Sequence, residues 1–203
     1  MKKQKALIVV DIQNDFCPGG SLAVPDGDKI IPVVNDLLSN FDLVIFTKDW
    51  HPANHSGFAS EYVEKSAFDL FNGEVLWPDH CVQDTPGAEL HPDIDFSKCK
   101  KDFYIFKKGV DVKSNGYSAF EKTELREFLE ERGVTEVYVC GLALDYCVKN
   151  TAIDSAFAGF DTYVIADACK SIDSDIEETK LNLLQAGVYL IDSWVLHYLN
   201  YNI

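Results

Sequence analysis

The feature that most constrains this chain is an order that recurs along its C-terminal half: a helix-like stretch, a glycine, then a short apolar run. Gly133, Gly159 and Gly187 are the three punctuating residues. A glycine in that place supplies the left-handed turn that closes a helix. The runs that follow are apolar throughout and rich in β-branched residues, so they read as strands buried on both faces. Matching runs occur at 6–10, 43–47, 103–106, 136–140, 162–166 and 188–191. The pattern predicts an α/β fold: a doubly wound, mainly parallel six-stranded sheet with helices on both faces. Ser118 with Glu121, and Ser174 with Glu177, have the spacing of a capping box at a helix start.

The 203 residues are enough for one sizeable core, and no linker divides them, so residues 1–203 read as one domain. The segment at about 49–102 departs from the pattern. It is rich in Pro, Asn, Gly and aromatic residues and shows little periodicity beyond a short helix. An insertion of that length in a compact domain is more often functional than idle.

A formal net charge of −15 argues against a nucleic-acid or anionic-membrane partner. The apolar run near the N-terminus stops at Asp11, too short for a signal or a membrane span. The six cysteines include no C-x-x-C pair, which together points to a reduced, cytoplasmic protein. The aromatic tail at 194–201 could bind a second copy in a homo-oligomer, or close the protein's own sheet, which is the commoner outcome.

Ligands of an open parallel sheet bind beyond the carboxyl ends of its strands. The residues just past those ends are Asp11, the run Lys48-Asp49-Trp50-His51, Lys107-Lys108-Gly109, and Gly141 to Cys147. Two carboxylates, a lysine, a histidine and a cysteine can therefore converge on one edge. The apolar spacing over 148–160 predicts a helix, with Asp145 as N-cap and Cys147 in its first turn. Unpaired N–H groups and the helix dipole there would favour a thiolate. By itself such a cysteine is more often buried and inert. Asp11 directly follows five apolar residues, and desolvation should raise its pKa toward that of a useful base. Lys108, taken alone, would be a surface lysine. Beside Asp11 and Cys147 it would favour both anions.

Asp49 and His51 are one residue apart, so an extended chain points both to the same side. His80 lies in the irregular segment. A mixed carboxylate and imidazole set suits zinc, iron or manganese without choosing among them. His55 is a further candidate, equally readable as a supporting residue. His91 and His197 read as ordinary structural histidines.

These residues sit in segments similar to those of a known family. VVDIQNDFCPGGSLAV, FTKDWHPANHSGFA, WPDHCVQDTPGAELHP, FKKG with NGYSAF, and GLALDYCVKNTA occur in order between positions 9 and 152. The chain thus resembles the nicotinamidases, also called pyrazinamidases, of the isochorismatase-like hydrolases. The resemblance implies a cysteine amidase acting on nicotinamide in NAD salvage, and on pyrazinamide. It implies Asp11, Lys108 and Cys147 as catalytic triad, and Asp49, His51 and His80 as ligands of a divalent metal, zinc ahead of iron or manganese. His55 would be an extra or water-mediated ligand. It implies an oxyanion hole from the backbone N–H groups of Ala143 and Cys147, with a cis peptide between Leu142 and Ala143. Phe16, Leu22, Trp77 and Tyr117 would surround the pyridine ring. Leu144 departs from the threonine frequent in the family. The stretch 56–76 does not align residue by residue. The nearest rivals are the carbamoyl- and ureido-amide hydrolases of the same superfamily, which share the triad and do not need the Asp-x-His pair. A non-catalytic pyridine-binding protein is the alternative from another class.

Overall fold

The computed structural model describes residues 4–196, so His197 and most of the aromatic tail lie outside the described residues. Six strands form one parallel sheet: β1 (Gln4–Val10), β2 (Leu43–Asp49), β5 (Phe103–Lys108), β6 (Val134–Leu142), β7 (Asp161–Lys170) and β8 (Tyr189–Ile191). Their order is β5-β2-β1-β6-β7-β8. The chain winds outward from β1 through β2 to β5, then returns to β6 and winds the other way. The order therefore reverses between β1 and β6, which is where an open α/β sheet forms its ligand crevice.

Covering helices explain why the strands are apolar throughout. Residues 6–10 of β1 and all of β2 are buried. Helix α1 (Ile31–Leu38) buries Val34, Leu37 and Leu38. Alternate side chains of β5 reveal two covered faces. Phe103 meets Phe96 and Phe46 on one, and Tyr104 and Phe106 meet Phe128 of α2 (Leu125–Glu131) on the other. Helices α3 (Lys149–Phe157) and α4 (Glu177–Gln185) connect β6 to β7 and β7 to β8. Right-handed crossovers in opposite winding directions place helices on opposite faces.

All six predicted strands are present. The structure extends β2 to Asp49 and β5 to Lys108, and those two residues are partners in the ladder. Gly133, Gly159 and Gly187 have positive φ at the helix ends, as expected. Neither capping box forms. Ser118 lies in a turn ahead of α2, and Glu121 accepts from the Ser114 hydroxyl instead. Asp175, not Ser174, receives the Glu177 N–H at the start of α4. Both misses have one cause: several Ser and Asp residues near a helix start can each supply the same bond, and the backbone path chooses. In the irregular segment the chain forms three short 3₁₀ turns and a two-stranded hairpin, β3 (Leu70–Phe71) with β4 (Glu74–Val75). No helix among the described residues is long and apolar enough to cross a membrane.

Candidate active site

Asp11 is the first residue past β1, and its φ of 49° turns the chain sharply out of the sheet. Lys108 closes β5, and Cys147 follows β6 in a π-type turn (Leu144–Val148) that runs directly into α3. Their side chains meet although they are far apart in sequence. Lys108 Nζ lies 2.7 Å from Asp11 Oδ2. It donates to Asp49 Oδ1 at 2.6 Å, to the Gly116 carbonyl at 2.9 Å and to Cys147 Sγ at 3.3 Å. Lys108 is 1 % exposed and Asp11 fully buried, so this ammonium is the counter-charge for two carboxylates inside the core.

Burial raises the Asp11 carboxyl above its ordinary value and Asp49 adds to the effect, against the pull of Lys108 and the Thr47 hydroxyl. Burial also raises Asp49, yet Lys108 and His51 outweigh it and hold that carboxyl well below the usual range. For Lys108, burial opposes the charge and the surrounding Asp11, Asp49 and Cys147 restore it, holding the amine well above its normal value. The expectation of a resting thiolate is corrected. Burial pushes the Cys147 thiol well up, and Asp49 and Asp11 reinforce this against Lys108. A helix terminus is a weaker influence than full desolvation between two carboxylates. The thiol proton must therefore be removed as the reaction proceeds.

The expected N-cap is also corrected. Asp145 does not cap the helix; its carboxylate accepts from the Ile172 and Asp173 N–H groups at 3.0 and 2.8 Å, across the loop after β7. The peptide between Leu142 and Ala143 is cis. The Ala143 carbonyl accepts from Tyr146 and from Val148, both at 3.1 Å, a π-type register that passes over the Cys147 N–H between them.

Asp49, His51 and His80 each offer a ligand atom, all within 4.8 Å of one another. His51 Nδ1 pairs with the Gly109 carbonyl at 2.9 Å, and His80 Nδ1 with the Pro78 carbonyl at 2.7 Å. A carbonyl only accepts, so each Nδ1 carries a proton and Nε2 is the nitrogen turned toward the common point. His51 Nε2 faces Asp49 Oδ2 across 3.6 Å, so the two ligand-type atoms are turned toward one point. Burial, with His51 adding, lowers His80 to about 4, which keeps the imidazole neutral as a ligand must be. The donor set fits a divalent metal ion. Gly109 is required here: at its φ of 64°, an added Cβ would lie 2.4 Å from His51 Cε1.

His55 stands apart from this set. Its Nε2 pairs with the Ser114 carbonyl at 2.8 Å and its Nδ1 accepts from the Gly57 N–H at 3.1 Å. Both ring nitrogens are engaged, and the ring packs on His51 with centroids 4.3 Å apart. His91 accepts from the Asp93 N–H, away from the site.

A narrow pocket opens onto Cys147 and the metal-type cluster. All four sequence-derived ring contacts, Phe16, Leu22, Trp77 and Tyr117, line it. Trp77 Nε1 donates to the Tyr117 hydroxyl at 2.9 Å, and the Trp77 ring meets Tyr146 edge-on at 4.8 Å. Asp11 and Lys108 lie behind the wall. The sequence reading missed Asn115, Tyr146 and Ile172, which also line the pocket. Extending the strand-end rule to β7 points to Ile172, and adjacency to Cys147 marks Tyr146. It missed Gln13 as well, whose buried side chain imitates a peptide unit. Its Nε2 donates to the Asp49 and Ala88 carbonyls, and its Oε1 accepts from the Asp49 N–H, each at 2.8 Å.

Comparison with known proteins agrees with this geometry. Residues 5–194 match the family model described as Isochorismatase domain. A nicotinamidase from Acinetobacter baylyi is 46 % identical over 200 residues, covering 93 % of this chain and 92 % of that protein. Among solved structures, an Acinetobacter baumanii nicotinamidase and pyrazinamidase superposes with a TM-score of 0.89 at 43 % identity, covering 97 % of this chain and 99 % of that one. A pyrazinamidase of Pyrococcus horikoshii in complex with zinc gives a TM-score of 0.80 at 41 % identity, with 93 % and 99 % coverage.

Proposed function

This chain belongs to the isochorismatase domain family, and from that premise we propose that it is a nicotinamidase, hydrolysing nicotinamide to nicotinic acid and ammonia in NAD salvage. One observation carries the reading: a buried Cys147–Lys108–Asp11 cluster and an Asp49–His51–His80 ligand set border one aromatic pocket. The first supplies amide chemistry, and the second a fixed point for a heteroaromatic ring. The same pocket would take pyrazinamide.

Phe16, Leu22, Trp77 and Tyr117 hold the ring and exclude water from it. Zinc, when held by Asp49, His51 and His80, supplies a Lewis-acidic contact for the ring nitrogen. With the amide carbon at Cys147, Asp11 takes the thiol proton while Sγ bonds to that carbon and the carbonyl pair moves onto oxygen. The Ala143 and Cys147 N–H groups stabilise that oxyanion. Collapse breaks the C–N bond, and Asp11 returns its proton to the leaving nitrogen, releasing ammonia and leaving a thioester. Water then attacks the thioester carbon with Asp11 as base, the C–S bond breaks, and Cys147 regains its proton as nicotinic acid departs. Lys108 remains charged throughout, steadying Asp11 and the thiolate in turn. The six free cysteines support a reducing, cytoplasmic setting.

Ammonia release from nicotinamide by the metal-replete protein tests the proposal, with Cys147→Ala as control. Turnover in the wild type and none in the variant is expected. A folded, metal-loaded wild type that releases none would sink the proposal.

A further inference from the structure

Thr47 is a fully buried residue of β2 whose hydroxyl makes two bonds to Asp11. Its Oγ1 accepts from the Asp11 backbone N–H at 3.2 Å and donates to Asp11 Oδ1 at 2.6 Å. A backbone N–H can only donate, so the single hydroxyl proton is committed to Oδ1. One side chain thereby fixes both the backbone and the carboxylate of Asp11, at the point where a non-glycine residue adopts a positive φ. That conformation persists only where its surroundings hold it.

The other carboxylate oxygen is treated differently. Lys108 has three N–H bonds, and these go to Asp49, Gly116 and Cys147. Asp11 Oδ2 lies 2.7 Å from the same nitrogen, an ion pair with an ammonium that already serves three other acceptors. Beside this ion pair, buried Oδ2 has no hydrogen-bond donor of its own. A buried acceptor left open costs stability, and such a group in a native protein calls for a reason. Proton exchange with Cys147, which touches the same ammonium, is a sufficient one.

We propose that Thr47 is a positioning residue for the reaction: by occupying Oδ1 and pinning the turn at Asp11, it reserves Oδ2 as the oxygen that takes and returns the proton. Thr47 touches no substrate; it acts through Asp11. The inference rests on the amidase reading, so wild type and Cys147→Ala are measured first. Cys147-dependent ammonia release secures that reading, and the Thr47 variants then test the positioning role separately.

The experiment compares Thr47→Val and Thr47→Ser with wild type in metal-replete enzyme, recording kcat, KM and bound metal. Valine keeps the shape and removes both bonds; serine keeps the hydroxyl and removes the methyl. Thr47→Val should lower kcat about ten- to a hundred-fold, the scale of a small misplacement at a reacting group, with KM within about two-fold. Thr47→Ser should stay within about three-fold of wild type in kcat, and bound metal should be unchanged in both. If valine at this position prevents folding, Thr47→Ala against Thr47→Ser carries the same comparison, since those two differ only by the hydroxyl. An unaffected kcat without the hydroxyl would overturn the proposal. So would an equal fall in Thr47→Ser, which would assign the effect to packing of the methyl group. Loss of bound metal in step with kcat would also overturn it, by showing that the residue acts through Asp49.

Discussion

Asp11, Lys108 and Cys147 are placed by the ends of β1, β5 and β6, whereas His51 and His80 are carried by irregular chain beyond β2. Asp49 belongs to both groups, with Oδ1 on Lys108 and Oδ2 toward His51. On the sheet side a buried ammonium compensates two carboxylates and contacts the Cys147 sulfur. On the other side two imidazoles are oriented by backbone carbonyls. A regular frame can hold a costly charge cluster because its strands are fixed by ladders and by packing on both faces. The loop side needs only to present lone pairs at a common point, and a bound ion would contribute the remaining stability.

This difference gives four expectations, in falling order of size. Lys108→Met leaves two carboxylates without their counter-charge in the core, and should cost about 3–5 kcal/mol in urea unfolding of the chelated protein. A loss below about 1 kcal/mol would mean that the cluster does not depend on that ammonium.

The second effect concerns pH. His80 is lowered from 6.5 to about 4 in the folded protein, so between those values the unfolded chain binds the extra proton. The contribution is therefore fully present above about pH 6.5 and lost as pH falls toward 4, with an upper bound of about 3 kcal/mol. Unfolding of chelated wild type and His80→Asn at pH 7.5 and at pH 4.5 checks this. The variant should show the smaller difference, and equal pH dependence would remove His80 as the cause.

Third, His80→Ala should reduce zinc affinity by about a hundred-fold, read by competition with a chromophoric chelator. Its stability without metal should fall by less than that of Lys108→Met. If the two variants were equally destabilised, the contrast between a charge-held side and a metal-held side would fail. The smallest effect is expected from Gln13→Leu, which removes the bracket on the Asp49 backbone. Zinc affinity should drop about ten-fold, with the Asp49–Lys108 pair retained. An unchanged affinity would show that the strand alone suffices to place Asp49.

The same contrast governs how much of the site was legible beforehand. Asp11, Lys108 and Cys147 each follow an apolar run, so a rule about strand ends finds them without knowing the strand order. Asp49 and His51 follow from the two-residue period of extended chain. His80 has no such periodic mark; its place in the irregular segment made it a candidate, and the resemblance of WPDHCVQDTPGAELHP then implied its role. His55 illustrates the limit of spacing. Four residues from His51, it looked equally suited to be ligand or support, and its bonds to Ser114 and Gly57 engage both nitrogens in support.

What the sequence determined by itself was the set of strands, the parallel character of the sheet and the identity of the polar residues at its edge. Those properties are written in local period, apolarity and punctuation. The tertiary structure alone decided that Asp145 reaches across to the loop after β7, that Thr47 grips Asp11, and that burial between two carboxylates pushes the Cys147 thiol up. Each depends on partners distant in the chain: Thr47 is 36 residues from Asp11, and Lys108 is 59 from Asp49. Desolvation and charge pairing are set by what surrounds a group in space, and local pattern does not carry that information.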